Sequence, residues 1–293
     1  MDSQIAQVRR FNRLVSQRIG ALDDSYLARG RPLGEARLLF EAGLTQGLDL
    51  RQVRARLGLD SGYLSRLLRS LEAQGLAEVR KSAADGRQRE LWLTEKGLVE
   101  FAAYDAASDV LAETILAPLG NRQRDRLAAA MGEVERLLRA AAVTVELAPA
   151  DSAEASWCLT EYCSELARRF DDGFDPASGN MLEPADATPP NGWFLVARLD
   201  GEPVGCGALK RLGDGIGEIK RVWTAPAVRG MGVATRLMDR LEALAGEAGY
   251  RVVRLDTNRT LNEAHALYRA RGYREIARYN ANPYAHHWFE KAI

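Results

Sequence analysis

Arg229, Gly230, Gly232 and Ala234 fall together in "RVWTAPAVRGMGVATRLMDRL", residues 221–241, where an apolar strand crosses a proline and enters a helix. A helix N-terminus presents unpaired N–H groups and a partial positive charge, so a phosphate docks there when no side chain covers the backbone. Glycine and alanine leave it uncovered, although a tight strand-to-helix connection reads the same way. A second set of candidates lies in "SGYLSRLLRSLEAQGL", residues 61–76, where Leu64, Leu67, Leu68 and Leu71 share one helical face and turn Tyr63, Ser65, Arg66 and Arg69 outward. Arginine bridges guanine O6 and N7 or grips phosphate, and the first half of a recognition helix reaches base edges. A solvated basic face has the same pattern. A third set, Tyr279, Asn280, Asn282, Tyr284, His286 and His287, crowds the stretch 278–293. Adjacent His286 and His287 point to opposite faces of a strand and cannot chelate one metal as a pair. With no Ser-His-Asp or Cys-His arrangement either, the expectation is no metal and no nucleophilic triad.

These residues need a frame. Up to about residue 140 the periodicity is helical: Ile5, Val8, Val15, Ile19 and Leu22 share a face, and amphipathic stretches cover 95–117 and 121–140. The interruption is "LAEVRKSAADGRQRELWLT", in which 76–82 and 88–94 read as two strands around Asp85 and Gly86. Just ahead of it, 48–60 reads as a short helix with a turn at Gly58, and the next helix starts at the capping-type Ser61. Beyond residue 142 strands and helices mix: a hairpin around Asp200 and Gly201, a strand at 216–224, a helix to about 246, and a strand at 251–258. The expected division is therefore 1–142 and 143–293. Residues 171–191 hold many Pro and polar breakers, and a loop of that length in a compact domain is functional or floppy.

A chain of 293 residues, 46% hydrophobic, accommodates two domains. Lys plus Arg equals Asp plus Glu at 40 each, so any nucleic-acid surface is a local patch. Cys158, Cys163 and Cys206 are odd in number and unpaired in spacing, which points to a reducing compartment, the cytoplasm. No apolar run has signal-peptide or membrane length, so no membrane partner is expected.

The order helix, tight turn, helix, hairpin is that of a winged helix-turn-helix, and "DGRQRELWLTEKG" resembles the wing and following helix of the MarR family of regulators. The resemblance covers 1 to about 140. It implies that Arg87 enters a minor groove, held by Asp85, and that the long helices at both ends form a homodimer. An inserted guanidinium gains from the negative potential of a narrow minor groove. Two recognition helices about 34 Å apart would read a pseudopalindromic site on double-stranded DNA. The candidate DNA-binding set is Ser61, Tyr63, Ser65, Arg66, Arg69, Asp85 and Arg87.

In the second half, Arg229, Gly232 and Ala234 fit the phosphate loop of the GNAT acetyltransferase superfamily. Downstream "DTNRTLNEAHALYRARGYREI" fits as well, with Asn262 ahead of a helix that carries Tyr268. This resemblance covers about 143–293. It implies acetyl-CoA as co-substrate, its pyrophosphate on Arg229, Gly230, Met231, Gly232, Val233, Ala234 and Thr235. Its arm would lie between splayed strands beside Val222, Trp223 and Thr224, with Asn258, Asn262 and Tyr268 completing the set. Tyr268 matches the family's usual acid for the departing thiolate. Glu218 sits where some members carry the base; a structural ion-pairing Glu at a strand edge reads equally well. Tyr279, Asn280 and Tyr284 are the substrate candidates, while Arg211 and Lys220 can hold a carboxylate but read more simply as surface cations.

The expected fold is multidomain: a mainly-α winged helix-turn-helix followed by an α/β GNAT fold with a mixed, splayed central sheet. The expected protein is a cytoplasmic, dimeric regulator, nucleoid-associated when bound to DNA, that acetylates a primary amine of a small molecule such as an amino acid. Two alternatives stay open: a repressor whose second domain only senses acetyl-CoA or a metabolite, and a protein-lysine acetyltransferase.

Overall fold

The computed structural model of the chain describes residues 1–83, 86–171, 173–178 and 182–293. It divides into two compact units, Met1–Gly132 and Glu133–Ile293.

The first unit runs α1 (Asp2–Arg18), α2 (Leu33–Leu44), β1 (Leu48–Asp49), α3 (Leu50–Leu57), α4 (Ser61–Ala73), β2 (Ala77–Lys81), β3 (Arg89–Leu93), α5 (Glu95–Leu116) and the first part of α6 (Asn121–Ala142). Side-chain caps set the starts of α3 and α4. Asp49 accepts from the N–H of Arg51 at 2.6 Å and Asp60 from that of Tyr63 at 2.8 Å. The start of α4 is therefore capped by Asp60 and not by Ser61, which occupies the first helical turn. The tight turn is made by Gly58 in the left-handed conformation, which ends α3. Leu64, Leu67, Leu68 and Leu71 are buried against α2 residues such as Leu38 and Leu39. Gly97 has a steric reason: a Cβ there would stand 1.9 Å from the carbonyl oxygen of Leu76. Only a bare backbone lets the first turn of α5 close on the hairpin, whose three-stranded sheet has the order β1-β3-β2. In α1 no residue is buried, and Leu22 lies past its end, exposed.

The boundary expected near 142 falls instead inside α6. Its last turns belong to the second unit because Ala140 O accepts from Arg236 at 3.0 Å and Arg136 donates to Gly230 O at 2.8 Å.

The second unit continues with β4 (Thr144–Ala148), α7 (Ala153–Arg169), β5 (Gly192–Leu199), β6 (Glu202–Gly213), β7 (Ile216–Thr224), α8 (Val233–Glu247), β8 (Val252–Thr257), α9 (Asn262–Ala270), β9 (Arg274–Ile276) and β10 (His287–Ala292). Its seven-stranded sheet has the order β4-β5-β6-β7-β8-β10-β9, and of these neighbours only β7 and β8 are parallel. The period of two divides β5 between two cores. Leu195, Ala197 and Leu199 pack with Leu237, Met238 and Leu241 of α8, while Phe194 and Val196 pack with Ala155 and Cys158 of α7. Asp200 and Gly201 both have positive φ and close the β5-β6 hairpin at the expected turn.

Among the described residues no helix is long and apolar enough to cross a membrane.

Candidate functional site

The parallel pair β7-β8 is hydrogen-bonded only from Ile216 to Glu218, against Val252 to Arg254. Beyond that the strands separate. On the other edge of β7, Cys206 faces Trp223 and Ala208 faces Lys220, so Gly207 opposes two residues, a β-bulge at Arg221 and Val222. Arg221 has φ +58°, the left-handed region that disfavours a side chain.

Two cavities meet at this parting. The larger, of about 370 Å³, is lined by Val222, Trp223 and Thr224 of β7, by Arg229, Gly230, Gly232, Val233, Ala234 and Thr235, and by residues of α7 and α9. The smaller, of about 80 Å³, is lined by Lys220, Arg221, Asp256, Asn258, Asn282 and Tyr284, with Phe170 and Phe174 beside them. Tyr162, Val222 and Tyr268 line both.

At the larger cavity Gly232 is the N-cap of α8, with φ +75° and no side-chain cap, so the first N–H groups of the helix are left for a ligand. Gly230 also has positive φ, at +76°. Its carbonyl oxygen accepts from Arg136. Arg229 is paired with the buried Glu165, which accepts from Trp223 Nε1 at 2.9 Å and pairs with Arg169 at 3.1 Å. Burial alone would raise the Glu165 carboxyl, but the hydrogen bonds from Trp223, Arg169 and Arg229 outweigh it and hold it below its ordinary range. Arg169 in turn bonds Glu263 and holds that carboxyl down at about 2. The alternating charges fix two guanidinium groups in the lining.

Tyr268, on α9, is 7% exposed and packs in a tilted arrangement against the rings of Tyr273 and Phe289. Burial raises its phenol well above the ordinary value, and the neighbouring Tyr162 and Asp256 add to the effect. It therefore stays protonated at the junction of the two cavities.

Glu218 has a different place from the one expected of a base. Its side chain is fully buried, and it lines neither cavity. Its Oε1 accepts from Tyr279 Oη at 2.9 Å and Asn280 Nδ2 at 3.2 Å, with Lys220 Nζ 3.6 Å away. The carboxylate that does face the smaller cavity is Asp256, which accepts from Asn280 Nδ2 at 2.9 Å and Asn282 Nδ2 at 2.5 Å. Tyr279 and Asn280 thus stand behind the cavity as supports, and only Tyr284 of the three substrate candidates forms its wall. Asn258 belongs to the smaller cavity, not the larger. Its Nδ2 donates to Tyr284 O at 2.8 Å and its Oδ1 accepts from Thr260 N at 2.9 Å. Met231 packs against the apolar core, and Asn262 opens α9; neither lines the larger cavity. Arg211 pairs with Asp214, whereas Lys220 is nearly buried between carboxylates. Among the described residues no group of three His, Cys, Asp or Glu could hold a metal ion.

Sequence reasoning passed over Phe170 and Phe174, which contact Tyr284 at ring distances of 5.8 and 4.9 Å. It also passed over Glu165, Arg169 and Asp256. A carboxylate in an apolar helix face, as Glu165 is, was the available signal; Asp256 lay within the quoted "DTN" with nothing to mark it.

In the first unit Ser61, Tyr63, Ser65, Arg66 and Arg69 are all exposed on α4, as the leucine spacing requires. The Arg66 guanidinium lies 5.3 Å over the Tyr63 ring, and Arg69 Nε donates to Ser65 O at 3.2 Å. Arg87 is exposed in the turn between β2 and β3, and Asp85 lies outside the described residues.

A family model described as the acetyltransferase (GNAT) family matches residues 159–273, and one described as the MarR family matches residues 30–88. An IAA acetyltransferase of Azospirillum brasilense is 34% identical over 116 residues, which is 39% of this chain and 76% of that protein. An HTH-type transcriptional regulator of Methylorubrum extorquens is 42% identical over 52 residues, 18% of this chain and 27% of that protein. Among solved structures, an acetyltransferase of the GNAT family from Staphylococcus aureus aligns over 52% of this chain and 99% of its own, at 16% identity and a TM-score of 0.45.

Gly232→Val places a β-branched side chain at a positive φ and over the bare helix N-terminus. The strain is about 1–2 kcal/mol, and titration calorimetry with CoA should show affinity reduced by about tenfold or more. Unchanged affinity would remove the loop from the site.

Proposed function

The chain belongs to the GNAT acetyltransferase family and carries a MarR-family region, and from that premise we propose a bifunctional protein. Its second unit moves acetyl from acetyl-CoA to the primary amine of a small molecule, and its first reads DNA. The observation that carries the enzymatic half is the position of Tyr268, a buried neutral phenol shared by the phosphate-binding cavity and a second cavity. A sensor needs only the first cavity. The second, of about 80 Å³ and walled by Phe170, Phe174 and Tyr284, suits a small amine better than a polypeptide.

Acetyl-CoA supplies a thioester, whose carbonyl carbon is the electrophile. The uncapped N-terminus of α8 and Arg229 hold its pyrophosphate, and main-chain groups of Val222 to Thr224, freed by the strand parting, align its arm. Asp256 receives the first proton of the substrate ammonium, whose pKa is about 10. The nitrogen then forms the C–N bond as the C–S bond breaks. Tyr268 gives its proton to the departing sulfur and recovers one from the amide nitrogen through solvent, so that protons balance. Glu218, through Asn280, positions Asp256.

The exposed face of α4 and Arg87 in the hairpin turn support DNA binding by the first unit. Ile5, Val8, Phe11 and Leu14 of α1 are 40–57% exposed. An apolar stripe of that kind is covered in solution, and a homodimer reading a pseudopalindromic operator in the cytoplasm fits it.

Release of CoA thiol, followed over a panel of amino acids, small amines and lysine peptides, tests the enzyme. Tyr268→Phe should lower kcat about 10²-fold with CoA affinity unchanged; full turnover would cancel the acid role. Because the phenol is raised, its protonated form persists to higher pH. The wild-type rate should climb as the amine deprotonates, with no descending limb below about pH 10. For DNA, Arg66→Ala and Arg69→Ala should each weaken operator binding and flatten the salt slope by about 1 if they contact phosphate. Unaltered binding in both would place the interface elsewhere.

A further inference from the structure

Neither family match reaches α6: the regulator match ends at residue 88 and the acetyltransferase match begins at residue 159. The last turns of that helix, which lie in the second unit, are tied to the loop that opens α8. Arg136 Nη1 donates to Gly230 O at 2.8 Å, and Arg236 Nη1, from the start of α8, donates to Ala140 O at 3.0 Å. Just past α6, Val143 is 1% exposed and shares a buried cluster with Leu237 and Leu241 of α8, so the helix end is anchored close to both bonds.

The Arg136 guanidinium is used on two sides. Its Nε and Nη2 fork onto the Glu133 carboxylate at 2.9 and 2.7 Å, which turns Nη1 to the Gly230 carbonyl. At the other end of the same peptide, Met231 N donates to Val228 O at 3.3 Å. A peptide group is planar, so bonds at its oxygen and at its nitrogen fix its plane. That plane stands between Gly230 and Gly232, both at positive φ, in a stretch where glycine gives the backbone its widest freedom. A loop that a ligand must order binds it less tightly than one already held in shape.

We propose that Arg136 is a positioning residue of the coenzyme site: aimed by Glu133, it holds the Gly230–Met231 peptide and so sets the loop whose following N–H groups receive the pyrophosphate. The last turns of α6 are then part of that site. This rests on the coenzyme-binding reading of the loop and adds a residue to it. Arg136 acts through the backbone and not by touching phosphate, so it governs how tightly the pyrophosphate is held and not how fast a bound thioester reacts.

The test is calorimetry on the full-length protein with three ligands: CoA, dephospho-CoA, which keeps the pyrophosphate, and pantetheine, which lacks it and is read by competition with CoA. The Arg136 side chain is 41% exposed, so Arg136→Ala opens no cavity. It should weaken CoA and dephospho-CoA alike by about fivefold or more and leave pantetheine within about twofold. In acetyl transfer the loss should appear in KM for acetyl-CoA and not in kcat. Glu133→Ala separates aim from charge, because it leaves the surroundings of the loop more positive: lost aim weakens CoA, whereas a purely electrostatic role tightens it. Unchanged CoA affinity in Arg136→Ala, an equal loss of pantetheine, a loss that spares dephospho-CoA, or tighter CoA binding by Glu133→Ala would each overturn the proposal. A wild type that binds no CoA removes the coenzyme reading itself, and the positioning role with it.

Discussion

Two parallel strands that stop exchanging hydrogen bonds leave main-chain donors and acceptors that something else must satisfy. Past Glu218 and Arg254 that is the condition of β7 and β8. The bulge at Arg221 forces the departure on one side, while β8 is held straight by six residues of antiparallel pairing with β10 on the other. Both cavities and Tyr268 are arranged around the gap opened this way.

The charges around the gap are balanced before any ligand binds. Arg229, Glu165, Arg169 and Glu263 alternate along the larger cavity, and at the smaller one Lys220 stands between Asp256 in its wall and Glu218 behind it. Removing one member would leave a buried neighbour unpaired, which costs more than the pair contributes. Such networks hold side chains in place without motion during the reaction, and preorganised groups stabilise developing charge without reorganising. The buried phenol of Tyr268 is the opposite case: burial, not pairing, keeps it neutral.

Much of this was legible in the chain. The leucine spacing of α4 named its exposed face, and the glycines before α8 named a bare helix start, because local periodicity and local backbone freedom set both. Tyr268, in the wall of both cavities, was singled out through a motif. What local pattern could not give was position across the sheet. Glu218 and Asp256 are both acidic residues on adjacent strands, and only the register of β7 on β8 and the placement of Asn280 and Asn282 decide which faces the cavity and which is sealed behind it. The two capping candidates at Asp60 and Ser61 differ by one residue, and the choice is made by the geometry of the turn from Gly58. The division between the two compact units lies inside α6 for a similar reason: α6 is one uninterrupted helix by periodicity, and its last turns change partners without any change in pattern.

The claim at the centre is that the strand gap and the N-terminus of α8 together receive CoA. Backbone amide chemical shifts during titration with CoA, read on isotopically labelled full-length protein, address it directly. The largest shifts are expected at the N–H groups of Gly232, Val233 and Ala234 and at Val222 to Thr224, saturating together. Saturable CoA binding that leaves those amides unmoved would contradict it.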